Sequence, residues 1–285
     1  MFIQSFKLLA FTLSAILLTG CASSDLKDDL FGPGKNSPTL MPRTSTYTDL
    51  ISLPEPKGKI VASIYSFTDQ TGQYRGAPNS SFSTMVTQGA TAMLNTALRD
   101  SGWFIPLERE GLQNLLTERK IIRATMKQQG QDANQLAALL PANVLLEGGI
   151  IAYETNTRTG GAGLKYLGIG TSEKYRVDQI TINLRAVDVR SGQILHSINV
   201  TKTILSNEVQ AGIYKYVAYK ELLETEAGYT TNEPVQLSLM SAIEAAVIHL
   251  ITEGITTNSW ALKNTDEIES EVVKQYLNKT SPVVL

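Results

Sequence analysis

The chain has 285 residues, 42% of them apolar and 18% charged, which is enough to bury one large core or two small ones. A net charge of -2 argues against nucleic acid as a partner. Cys21 is the single cysteine, so no internal disulfide is available to the fold.

Residues 1–20 read as a bacterial secretory signal. Lys7 precedes a short apolar run from Leu8 to Leu18, and Leu18-Thr19-Gly20-Cys21 reads as a lipobox. The Cys21 thiolate is the nucleophile that accepts diacylglycerol, and cleavage makes it the new N-terminus. An ordinary signal peptide with a chance cysteine is the alternative. Several acyl chains, at about 0.8 kcal/mol per buried methylene, make such an anchor effectively permanent. Ala22 stands where an aspartate would hold a lipoprotein in the inner membrane. The expected location is therefore the periplasmic face of the outer membrane of a Gram-negative bacterium. Residues 21–58 are polar and punctuated by Pro33, Pro38, Pro42, Pro54 and Pro56, which predicts an extended lipid-anchored tether. After residue 20, no uninterrupted apolar run is long enough for a membrane helix.

Residues 59–285 read as an α/β body. Lys59 to Thr68 is its first strand, and Asp69-Gln70-Thr71-Gly72 is a turn. A loop rich in turn formers follows at 72–83, with the aromatic Phe82 just before Ser83, a candidate N-cap for a helix reaching Arg99. Met85, Met93, Leu94, Ala97 and Leu98 lie on one side of that helix. Trp103 to Leu107 reads as a strand. Glu108 to Arg123 reads as a second helix with Leu112, Leu115, Leu116 and Ile122 inward, and 126–135 as a polar excursion. Val144–Tyr153, Asp178–Val189 and Ile194–Leu205 are strands, with a turn at Arg190 to Gln193. Pro234 to Thr252 is an amphipathic helix, and a charged helix from about Thr265 to Lys279 ends the chain.

Two stretches alternate with the period of two that gives a strand one apolar and one polar face. At about 157–177, Ala162, Leu164 and Tyr166 alternate with glycine and lysine, the turn falls around Gly168 to Ser172, and Tyr175 and Val177 continue beyond it. At about 207–227, Val209, Ala211 and Ile213 alternate with Glu208, Gln210 and Gly212. After a turn near Val217 to Lys220, Leu223, Thr225 and Ala227 resume the pattern. Each arm has about the ten residues that a tilted strand needs to cross a bilayer. Four strands cannot close a barrel whose smallest forms have about eight, so membrane hairpins here require a ring of identical subunits. On pattern alone, two surface hairpins of a soluble sheet are the favoured reading; the lipobox shifts the balance toward the membrane.

The motifs of hydrolytic and phosphoryl chemistry are missing. His196 and His249 lie far apart in sequence, and both read as satisfied structural histidines. No H-E-x-x-H, cysteine pair or G-x-S-x-G occurs, and no lysine and hydroxyl follow Gly160-Gly161-Ala162-Gly163 as a phosphate loop requires. The sequence asks for no catalytic residue, metal or cofactor.

Several longer runs are specific. They are P-T-L-M-P-R at Pro38 to Arg43, W-F-I-P-L-E-R at Trp103 to Arg109, G-L-Q-N-L-L at Gly111 to Leu116 and E-R-K-I-I-R-A at Glu118 to Ala124. Near the hairpins stand T-K-T-I-L-S at Thr201 to Ser206, E-V-Q-A-G at Glu208 to Gly212 and L-M-S-A-I-E at Leu239 to Glu244. On these the chain resembles the curli secretion channel lipoproteins, over most of its length from Thr39 to about Trp260. The resemblance implies an α/β periplasmic domain with two amphipathic membrane hairpins per subunit. Nine subunits would share one large transmembrane β-barrel that exports unfolded amyloid subunits without ATP. It also implies a periplasmic capping protein and an extracellular accessory protein as partners. The loop at 72–83 matches the family's pore constriction. Phe82 falls on its phenylalanine position, Ser81 stands where the family has asparagine, and Ala77 where it has tyrosine. These replacements make Phe82 the main expected aromatic ring. The alternatives are a hydrophobic staple for Phe82 and, for the chain, a periplasmic scaffold lipoprotein with soluble hairpins.

Overall fold

In the computed structural model, the described residues are 40–41, 43–75, 83–132, 136–166, 169–218, 221–232 and 235–278; for 156–174 and 205–234 the description is of backbone pairing. One six-stranded sheet organises the chain, in the order β2-β1-β3-β4-β5-β6. Strands β1 (Ile60–Asp69), β2 (Phe104–Leu107) and β3 (Val144–Tyr166) pair in parallel. Strands β4 (Ile169–Asp188), β5 (Ile194–Ala218) and β6 (Glu221–Asn232) continue from β3 as antiparallel neighbours.

Helix α1 (Ser45–Ile51) lies inside the stretch read as a tether. The Thr44 side chain caps it by accepting from the Tyr47 N–H, and Leu50 anchors it with no solvent exposure. Helix α2 (Ala90–Asp100) packs on β1 and β2 through Ala90, Leu94, Ala97 and Leu98. It starts later than expected, because Ser83 is not its cap. Thr84 instead bridges Tyr74, the Arg75 N–H donates to the Ser83 carbonyl, and the Met85 N–H to that of Gln73. Thr91 then stitches α2 to β1. The register of β1 slips between Ile64 and Phe67, and the Thr91 hydroxyl accepts from the Phe67 N–H at 2.9 Å and donates to its carbonyl at 3.2 Å.

Helix α3 (Leu112–Gln128) departs most from expectation. It runs past Arg123 into the first residues of the supposed excursion, to Gln128, and Gly130 at φ 68° ends the turn. Leu112, Leu115 and Leu116 are half-buried and Ile122 is exposed, so the four do not form a core face. Helix α4 (Val235–Thr256) is the central core helix, packed on β4 and β5. By length and composition it could cross a membrane, yet it is mostly buried and carries Glu244 in its middle. The C-terminal segment divides into a 3-10 turn (Thr265–Glu269) and α5 (Glu271–Asn278), interrupted at Ser270.

The core joins the sheet to the helices. Phe67, Leu146, Ile150, Ile180, Ile182 and Leu184 meet Leu94, Leu98, Ile243 and Val247, all fully buried. Gly148 is obligatory in this layer. Its φ is 151°, and a Cβ there would lie 2.0 Å from the Asn183 carbonyl oxygen.

Candidate functional site

The site is built where β3, β4, β5 and β6 run past the helices. The β3–β4 ladder extends to Tyr166 opposite Ile169, so Ile169 to Ser172, expected in the turn, belong to β4, while Gly168 lies outside the described residues. The β5–β6 ladder reaches Ala218 opposite Glu221. β6 pairs from Ser206 opposite Asn232 onward, and β1 leaves β3 after Ile150. Beyond the body, therefore, the outer halves of β3 and β6 each have one described neighbour, on one side.

Register assigns each expected residue to a face. Ala162 lies opposite Glu173, Glu173 opposite Val209, and Val209 opposite Tyr229. Leu164, Thr171, Ala211 and Ala227 form the next row, and Tyr166, Ile169, Ile213 and Thr225 the one after. Tyr175 and Val177 belong to the same face through Gly160 and Arg158, and Leu223 through Lys215. All eleven residues singled out on the hairpins thus share one side of the sheet. Glu173 and Lys215 share it too. The opposite side carries Lys174 with Glu208, Ser172 with Gln210, and Gly170 with Gly212.

The apolar face of β4 and β5 changes sides along the way. In the body, Ile180, Ile182, Leu184 and Ala186 of β4 and His196, Ile198 and Ile204 of β5 are buried. The other side there is a polar ladder, with Thr181 and Thr201 hydroxyls 3.0 Å apart and Asn183 Nδ2 donating to Asn199 Oδ1 at 2.9 Å. The β4–β5 register runs unbroken from Ile169 opposite Ile213 to Ala186 opposite His196. With a period of two and no bulge, the buried side of the body continues as the side of Lys174, Ser172, Glu208 and Gln210. The polar ladder continues as the side of Val177, Tyr175, Val209 and Ala211.

A buried carboxylate marks the changeover. Asp178 is 2% exposed; Arg176 Nη2 lies 3.1 Å from its Oδ2, and the Tyr153 hydroxyl approaches at 3.5 Å. Burial pushes the Tyr153 phenol up, and the Asp178 charge adds to it. Opposite Asp178 the β3 register slips between Glu154 and Arg158, while the β4–β5 register continues without a shift. Sequence reading missed this carboxylate; an aspartate at the step where the apolar period changes phase was the available signal.

Ala77, Ser81 and Phe82 lie outside the described residues, as does Cys21. What is described is the base of the loop, closed by the Tyr74–Thr84 bridge. Arg75 and Thr84 to Gln88 line a cavity of about 360 Å³ together with Val235, Gln236 and Leu239 of the first turns of α4. With Gly89 as the N-cap of α2, the residue before the cap is Gln88, so Phe82 does not hold the staple position of that helix.

His196 gathers a hydroxyl and a carboxylate, with Nε2 2.9 Å from Ser259 Oγ and Nδ1 3.1 Å from Glu253 Oε1. That order resembles a hydrolytic triad, but the backbone N–H groups of Ser259 and Trp260 both point at the Gly254 carbonyl, at 2.8 and 3.3 Å. They are not free to stabilise an oxyanion. The cluster caps the C-terminal end of α4 and seats Trp260, whose ring meets His196 edge-on at 5.1 Å. Among the described residues, no three His, Cys, Asp or Glu side chains converge as a metal site.

Fold and hairpins together define a mixed α/β sheet protein from which two long β-hairpins extend. The family model described as "Curli production assembly/transport component CsgG" matches residues 43–280, and the chain belongs to that family. The protein of that description from Escherichia coli is 50% identical over 272 residues, covering 94% of this chain and 96% of the relative. That of Citrobacter koseri is 51% identical over 269 residues, covering 93% and 95%, and that of Salmonella typhimurium 50% over 272, covering 94% and 96%. Among solved structures, a PelC dodecamer from Paraburkholderia phytofirmans aligns with 53% of this chain and 75% of its own at 15% identity and TM-score 0.23. That likeness is too slight to carry any inference.

Proposed function

We propose that this protein is a lipid-anchored outer-membrane secretion channel that exports unfolded curli subunits through a barrel shared by a ring of identical copies. The observation that carries it is the outer sheet of β3 to β6, two-faced by register and with a single described neighbour for each of its edge strands. Such edges invite pairing, and a bilayer tolerates sheets only when closed. Four antiparallel strands per copy let β6 of one copy meet β3 of the next with every neighbour still antiparallel. A head-to-tail ring then closes without a free edge. Nine copies is the number the family resemblance implies, and Cys21 is the proposed point of lipidation.

In this barrel Ala162, Leu164, Tyr166, Tyr175, Val177, Val209, Ala211, Ile213, Leu223, Thr225 and Ala227 belong to the lipid side. Lys174, Ser172, Glu208 and Gln210 belong to the lumen side. The helix-packed side of the body continues into the lumen side, and the cavity at the loop base lies against the start of α4 on that side. This supports a loop at 72–83 that projects from every copy toward the axis. Phe82 forms the main aromatic ring there, Ser81 lines it with small hydroxyls, and Ala77 leaves its own level wide.

Transport needs no nucleotide in this reading. An unfolded chain confined below the barrel loses conformational entropy and is biased outward. A periplasmic capping protein would provide the confinement, and an extracellular accessory protein would receive the chain. The test is conductance of full-length protein in planar bilayers. A stable conductance that rises in Phe82→Ala supports channel and constriction together. A conductance unchanged by that substitution moves the constriction elsewhere, and no conductance from folded, inserted protein returns the chain to the scaffold reading.

A further inference from the structure

Glu244 is a carboxylic acid 1% exposed in the middle of α4, an otherwise apolar core helix. Its Oε2 accepts a hydrogen bond from the Thr44 hydroxyl, the same group that caps α1 by accepting from the Tyr47 N–H at 3.1 Å. One hydroxyl therefore both starts α1 and seats it on α4. The rest of the seat is polar as well. Thr46 meets Ser241 hydroxyl to hydroxyl, and the Tyr276 hydroxyl of α5 donates to Asp49 Oδ2 at 2.8 Å. Helix α4 begins directly after β6, so this seat ties the first described helix to the helix into which the second hairpin runs.

We propose that α1 is a strap whose seat on α4 is set by the buried carboxyl of Glu244 and tightens as the surroundings acidify. Removing a carboxylate from water disfavours its charged form, and a single neutral hydroxyl offsets only part of that cost. The groups facing it add to the effect. Asp100 of α2 repels the charged form, and the Tyr276 phenol of α5, whose hydroxyl donates to Asp49, supplies no positive charge; His249, five residues along α4, stacks edge-on against Tyr276 at 5.0 Å. Burial first and Asp100 second raise the Glu244 pKa above its ordinary value, against the opposing Thr44 hydrogen bond. A carboxyl whose pKa is raised on folding takes up a proton as the fold forms. Stability from this site is therefore gained as pH falls through the folded pKa, complete below the unfolded one, and lost toward alkaline pH.

The test is hydrogen exchange of the α1 amides in the full-length protein in detergent, corrected for intrinsic rates, at a pH of about 7 and at the ordinary carboxyl value of 4.5. Protection of α1 is expected to rise several-fold at the lower pH, while amides of β1 serve as the unchanged reference. Glu244→Gln, neutral at both values, is expected to abolish the difference. Thr44→Val keeps the carboxyl and removes its donor, so protection is expected to fall most at the higher pH. Equal protection of wild-type α1 at both values, or an undiminished pH dependence in Glu244→Gln, would overturn the proposal.

Discussion

The body and the hairpins share β3, β4 and β5, yet they are stabilised in opposite ways. In the body, β4 buries Ile180, Ile182 and Leu184 against α4 and turns a hydrogen-bonded polar ladder outward. Beyond Asp178 the same strand, in the same register, carries its apolar residues on the other side. A body sheet needs only its own helices. In the proposed ring, the outer sheet, whose edge strands β3 and β6 each have one described neighbour, takes its partners from other copies. On that proposal, folding and assembly are separable, and the row at Val177 and Asp178 divides them.

That division is tested most directly by damaging one half and watching the other. Phe67 is fully buried beneath α2, so Phe67→Ala is expected to cost about 3–5 kcal/mol. A thermal melt of the detergent-solubilised protein would show this as a large fall in the body's Tm. A melt unchanged by that truncation would mean the core does not hold the body together. Ala211→Arg should act the other way, costing about 2–4 kcal/mol at a bilayer midplane while the melt of the body stays put. Size-exclusion chromatography should then show lost rings, with Gln210→Arg, on the opposite side, keeping them. Equal assembly of the two variants would remove the lipid side from the proposal. Asp178→Asn probes the boundary itself. Losing the buried charge that holds Arg176 and Tyr153 should cost about 1–3 kcal/mol, seen as a modest loss of body Tm together with fewer rings.

Much of the fold is legible in the order of the residues. The first strand, the strand from Trp103, the turn at Arg190 to Gln193 and both hairpins follow from short-range alternation and turn chemistry. At that turn, Asp188 Oδ2 accepts from the Ser191 N–H at 2.9 Å. The helix errors share another cause. Ser83 has the chemistry of a cap, but the loop before it closes on itself through Tyr74 and Thr84, and that pairing delays α2 to Ala90. The leucines of α3 have the spacing of a core face without a core to meet. Helix α1 was hidden among prolines and polar residues, because its stability comes from Leu50 and the seat on α4 rather than from its own propensity.

Local sequence was enough for the family and for the two-faced alternation of the hairpins. Each is written in neighbouring residues, at spacings of two to four. Three-dimensional pairing was needed to settle which side of the body sheet becomes which side of the hairpins, because that depends on an unbroken register between β4 and β5 from Ile169 to Ala186. Packing alone placed Asp178 at the changeover and brought Thr44 to Glu244, 200 residues apart. Burial of a charge is a property of everything packed around it, and no local pattern carries that information.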